Sequence, residues 1–149
     1  FDCEAINLGF SGNARMDRSM LEAIKRIDAK KYVINCLPNC TQEIIRDSAY
    51  HFMSTLAKER PDVTIYMVEN VEFTDRHINQ RTAKDLIEKN RMWSDLYKQL
   101  RKEGYKNLRY IPSEGYVGTD DEHSVDGAHF TDLGFMRMAE TFKKYLKKR

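Results

Sequence analysis

The sequence has little charge of either sign in excess. Its 149 residues contain 25 Lys and Arg against 23 Asp and Glu, so it lacks the electrostatic footprint that nucleic-acid binding needs, and no nucleic-acid partner is expected. It has no run of about 18 apolar residues, which leaves no membrane-spanning helix encoded. Cysteine is scarce: Cys3, Cys36 and Cys40 are too few and too oddly counted for a disulfide framework. No second Cys/His pair completes a zinc site around Cys36 and Cys40, so all three read as small apolar packing groups. There is no internal repeat, no low-complexity linker and no visible signal peptide. The chain opens at Phe1 without an initiator Met and reads as part of a longer protein. Compartment stays open, with a secreted or periplasmic location slightly favoured. What is present, 41% apolar and 11% aromatic residues, can build the core of one domain spanning residues 1–149.

Strand and helix patterns alternate along the chain. Glu4–Gly9 reads as a short strand running into the turn Gly9-Phe10-Ser11-Gly12-Asn13. Asp17 is a candidate N-cap for a helix through Met20, Leu21, Ile24 and Ile27, extending to Asp28. Tyr32–Leu37 is a near-continuous apolar run suited to a strand buried on both faces, and it stops at Pro38-Asn39. Thr41 then caps a helix to about Arg60, carrying Ile44, Ile45, Phe52, Met53 and Leu56. Val63–Val68 is the next strand. Residues 75 to 103 are helical, with Gly104 as the stop and Trp93 on the core stripe. Leu108–Ile111 is a fourth strand, and a Gly-, Asp- and Ser-rich loop runs from Pro112 to Ala128. Thr131 caps a last helix ending in the basic cluster Lys143–Arg149, whose cations complement the helix dipole. The order predicts a doubly wound parallel α/β sheet, with chemistry in the loops beyond the carboxyl ends of its strands.

Those loops hold Gly12, Asn39, and Asp126 with His129. An Asp three residues before a His, on a tight turn leading into a helix, can bond Nδ1 and leave Nε2 as a general base. Read from the residues alone, the Asp126/His129 pair also fits a helix start without chemistry. Asn39 fits a turn former ahead of the Thr41 cap.

Three stretches in this order change that weighting. Asn7-Leu8-Gly9-Phe10-Ser11-Gly12-Asn13-Ala14-Arg15-Met16-Asp17, then Cys36-Leu37-Pro38-Asn39, then Asp126 to Phe135 resemble the later sequence blocks of SGNH/GDSL hydrolases, and in particular a bacterial acylhydrolase branch of that superfamily. The resemblance covers nearly the whole chain. Asn39 follows Leu-Pro where many relatives carry Gly. What the resemblance implies is a three-layer, flavodoxin-like α/β/α fold and a cofactor-free serine esterase. It also implies that the Gly12 N–H and the Asn39 amide form the oxyanion hole, that His129 is the base and that Asp126 orients it. Arg15, in the loop lining the mouth, is a candidate for binding a polar or acidic substrate group.

The family's first block, a strand followed by Gly-Asp-Ser or a variant, is not found in this sequence. By resemblance that strand belongs in the middle of the sheet, between the two strands placed first here. The expectation is therefore an N-terminally incomplete domain with open sheet edges, inactive alone, its nucleophile supplied by a preceding segment. Ser11 is the obvious substitute nucleophile, but the same turn supplies backbone donors in the family. Ser113 and Ser124 read as turn residues.

The expected substrates are small acyl esters, acetyl groups on sugars among them. Two competitors remain: a non-catalytic fragment or binding module of the same fold, and a metal-dependent hydrolase using Asp120, Asp121, Glu122, His123, Asp126 and His129, although their spacing matches no metal motif. His51 and His77 have no partner at site spacing.

Overall fold

The computed structural model describes residues 3–147. Phe1 and Asp2 lie outside the described residues, as do Lys148 and Arg149 of the basic cluster. Three strands, β1 (Lys31–Ile34), β2 (Thr64–Val68) and β3 (Leu108–Ile111), pair in parallel in the order β1-β2-β3. β2 is central, and its apolar run serves both faces: Ile65 and Met67 enter one core, Tyr66 and Val68 the other.

The first core is covered by α1 (Arg18–Ile24), by a helical stretch of α2 (Gln42–Ile44), a π-helical turn (Ile45–Ala49) and α3 (Tyr50–Glu59), and by α4 (Gln80–Lys102). Leu21, Phe52, Met53, Leu56 and Trp93 are buried there. The second core is covered by α5 (Asp132–Leu146) through Met138, Phe142 and Tyr145. Helices on both faces of a parallel sheet make the three-layer α/β/α arrangement that the alternation of elements predicts.

Several expectations are corrected. Glu4–Gly9 forms no strand. It is irregular and exposed except for Leu8, which packs against the first core, and the Gly9 N–H is bonded locally by Asn7 Oδ1 at 2.8 Å. A strand's N–H and C=O groups need a neighbouring chain, and none of the three strands lies beside this segment. The far edge of β1 is likewise unpaired among the described residues, with Val33 39% exposed.

The second expected strand stops at Ile34 instead of Leu37. Leu37–Asn39 winds into a 3-10 turn with Pro38 in its first positions, and the Asn39 and Cys40 N–H groups donate back to the carbonyls of Cys36 and Leu37. The long helix starts at Gln80, where Asn79 Oδ1 caps the Thr82 N–H, and residues 74–78 are turns. Asp17 sits at the N-cap of α1 without a side-chain cap bond, and that helix ends at Ile24. Cys3 is exposed, so only Cys36 and Cys40 are packing groups.

One packing contact sets the position of the last loop. Gly134, in the first turn of α5, sits so close to the preceding loop that a Cβ would lie 2.3 Å from the carbonyl oxygen of His123. Backbone cannot swing aside as a flexible side chain does. Gly134→Ala is expected to cost about 1–3 kcal/mol, read as a fall of several degrees in Tm. An unchanged thermal unfolding curve would contradict this contact.

Candidate active site

The 124–130 segment builds its own geometry. Ser124 and Phe130 form an isolated antiparallel bridge, the Val125 N–H donates to the His129 carbonyl and the Thr131 N–H to the His123 carbonyl, each at 2.9 Å. Residues 126–128 are thus the tip of a tight turn. α5 starts at once, Thr131 Oγ1 capping the Gly134 N–H at 3.1 Å. At the tip, Asp126 Oδ1 accepts the N–H groups of Ala128 at 3.0 Å and His129 at 2.8 Å, while Oδ2 lies 2.6 Å from His129 Nδ1. A carboxylate at Nδ1 holds the proton there and leaves Nε2 as the accepting nitrogen.

The pair is open, with 83% of the His129 side chain and 52% of that of Asp126 exposed. Its stabilising contribution is therefore small, and its effect is orientation. The His129 backbone N–H first, then its ring and the Ala128 N–H, hold the Asp126 carboxyl down at about 2. The folded value lies below the ordinary 3.8. The carboxylate's favourable contribution is therefore present above the ordinary value and lost as pH falls through about 2. An NMR titration of the Asp126 carboxyl should show that low midpoint. His129→Ala should raise it only part of the way, because the two backbone donors remain. A midpoint already in the ordinary range would mean the turn is not formed as described.

The second pair sits across the ends of the first loops. Ser11 and Gly12 adopt positive φ of 44° and 84°, so backbone strain is held at this turn. A Cβ on Gly12 would lie 4.0 Å from Asn39 Oδ1. Arg15 Nε donates to the Gly12 carbonyl at 3.2 Å and Asn13 Nδ2 to that of Phe10 at 3.0 Å, which stiffens the turn. Arg15 is exposed and, in this arrangement, holds the turn. Cys40 Sγ donates to the Ala14 carbonyl at 3.6 Å, tying the Gly12 turn to the Asn39 turn. Gly12 and Asn39 are thus neighbours, as are Asp126 and His129. No hydrogen bond joins the two pairs among the described residues.

The His129 turn is anchored from elsewhere. The Thr74 N–H donates to the Gly127 carbonyl at 3.0 Å. His123, 4% exposed, places Nε2 3.2 Å from the Glu72 carbonyl and its ring against Phe130. Sequence reasoning missed this contact between the loops after β2 and after β3, because no local pattern encodes it.

The acidic-loop residues diverge. Asp120 pairs with Arg137 at 2.6 and 2.7 Å, which holds its carboxyl well below the usual carboxylate range. Asp121 pairs with Arg76 at 2.5 Å. Among the described residues no three His, Cys, Asp or Glu side chains converge as a metal-ligand group. Ser113 bonds Glu69 through N–H and Oγ. His51 and His77 are exposed on the surface.

The chain matches the model of the GDSL-like lipase/acylhydrolase family over residues 1–147. It superposes, with a TM-score of 0.90 and 34% identity, on a protein of Bacteroides ovatus ATCC 8483 described as a GDSL-like lipase, covering 96% of this chain and 42% of that one. The chain therefore spans less than half the length of that protein. Two more distant structures share the fold. A Streptococcus pneumonia protein described as a platelet activating factor has a TM-score of 0.55 and 16% identity, covering 70% of this chain and 50% of that one. A salicylyl-acyltransferase from a tetracycline biosynthetic pathway has a TM-score of 0.67 and 10% identity, covering 89% and 41%. No curated protein matches the chain. A family match running nearly end to end, together with a 34% identical structure of the same fold, places the chain in the GDSL-like lipase/acylhydrolase family.

Proposed function

We propose that this fold hydrolyses carboxylic esters by nucleophilic acyl transfer, with His129 as base, Asp126 as its orienter, and the Gly12 N–H and Asn39 amide as the oxyanion hole. The nucleophilic serine comes from a strand that pairs with the open edge of β1, between it and Glu4–Gly9. The observation that carries this reading is the 2.6 Å contact between Asp126 Oδ2 and His129 Nδ1. Support for the added strand comes from the unpaired β1 edge and the exposure of Val33, Ile6 and Phe10. A strand inserted there would cover apolar side chains and pair backbone groups that the three described strands leave without a strand partner.

The steps balance without a cofactor. His129 Nε2 takes the serine hydroxyl proton as the oxygen attacks the ester carbonyl carbon. The carbonyl oxygen becomes an oxyanion, held by Gly12 and Asn39, and the ionised Asp126 stabilises the imidazolium without taking its proton. Collapse breaks the bond to the alcohol, which leaves with the proton from His129. Water, deprotonated by the same nitrogen, then releases the carboxylic acid and restores the serine. The substrates are small acyl esters, with acetyl esters of sugars among them. The test is hydrolysis of p-nitrophenyl acetate by the complete protein beside its His129→Ala variant. Turnover lost in the variant supports the reading, and equal turnover in both rejects it.

A further inference from the structure

A cleft of about 460 Å³ opens beside Asn39, lined by Pro38, Thr41, Gln42 and Glu43 on one side and by Asp85 and Lys89 of α4 on the other. Its volume falls in the range of small-ligand sites. Lys89 is only 6% exposed. It lies on the buried stripe of α4 with Leu86 and Trp93, where an ammonium group must be desolvated and is tolerated only when paired. Its Nζ sits 3.1 Å from Asp85 Oδ2, and Asp85 Oδ1 accepts from Gln42 Nε2 at 2.8 Å. A helix-surface ion pair four residues apart needs none of this burial. Here the pair and the amide line one opening that Asn39 also lines.

The charge and bonding pattern select the occupant. The one cation of the lining, Lys89, is already paired with Asp85, so the lining offers no free positive charge to a phosphate or carboxylate. An alkyl chain would strip water from an ion pair and an amide without replacing its hydrogen bonds. A neutral polyol does replace them, since each hydroxyl both donates and accepts. Asn39, the neighbour of Gly12, also lines this cleft, so the cleft adjoins the position proposed for the ester carbonyl. We infer that the cleft is a subsite for an uncharged sugar portion of the ester, held by hydrogen bonds to Gln42, Asp85 and Lys89. This rests on the ester-hydrolase reading above.

The test uses the complete protein with an O-acetylated methyl glucoside and with p-nitrophenyl acetate, and reads the ratio of the two kcat/KM values. Losing hydrogen bonds to charged or paired groups should lower that ratio by about 10-fold or more in Lys89→Met and in Gln42→Ala, chiefly through KM for the sugar ester. A ratio within about twofold of the unsubstituted protein in both variants overturns the subsite, ordinary hydrogen-bond losses being larger than that. Should Lys89→Met fail to fold, Gln42→Ala, at the half-buried start of α2, decides alone. If the unsubstituted protein hydrolyses neither ester, the hydrolase reading fails separately, and calorimetry with methyl glucoside then decides the cleft. Binding weakened about 10-fold in Gln42→Ala supports the subsite by the same bond-loss argument, and no binding to the unsubstituted protein rejects it.

Discussion

His129→Ala in the complete protein is expected to lower kcat/KM for p-nitrophenyl acetate by at least about 1,000-fold, because base and nucleophile act as a unit and losing one member forfeits nearly the whole contribution. The ring is pinned at Nδ1 by Asp126 and its surroundings impose little packing on it, the side chain being 83% exposed. Truncation should therefore leave folding intact, and stability should change by less than about 0.5 kcal/mol, as for most exposed positions. That combination separates chemistry from structure. A variant that is both inactive and strongly destabilised would show instead that the turn depends on the ring for its fold.

Asn39→Ala is the second large effect. The amide stands beside Gly12 at the end of a 3-10 turn whose bonds are made by backbone groups and whose neighbouring helix is capped by Thr41. Removing the side chain therefore leaves the turn standing. A donor aimed at charge that exists only in the transition state is worth about 100-fold in kcat, about 2.7 kcal/mol at 1.36 kcal/mol per tenfold, with KM changed little. Steady-state kinetics distinguishes this from a turn former: unchanged kcat, or a pure KM effect, would remove Asn39 from the oxyanion hole. Gly12 cannot be tested as simply, since its φ of 84° strains any L residue placed there.

Much of this architecture was legible from local pattern. The apolar run of β2, the Thr41 and Thr131 caps and the stop after α4 are short-range signals, and each appears where the residues placed it. Asp126 and His129 were legible for the same reason: their geometry is fixed within three residues by backbone N–H groups. Glu4–Gly9 was misread because strand formation is decided by the neighbour, not by the segment's own propensity. The tie between Thr74 and Gly127, and the contact of His123 with the Glu72 carbonyl, join residues far apart in sequence, so no spacing could show them. Lys89 does leave a trace in the sequence. It falls three residues after Leu86 and four before Trp93, on the stripe that faces the core, where a lysine calls for a partner.

The most direct test of the central claim is p-nitrophenyl acetate hydrolysis by the complete protein, measured beside His129→Ala and Asn39→Ala at matched folded concentration. The account predicts measurable turnover in the unsubstituted protein, near-complete loss with His129→Ala and an intermediate loss of about 100-fold with Asn39→Ala. Turnover that survives His129→Ala, or its absence in the unsubstituted protein across several short-chain esters, would contradict it and leave a fold of this family that binds without hydrolysing.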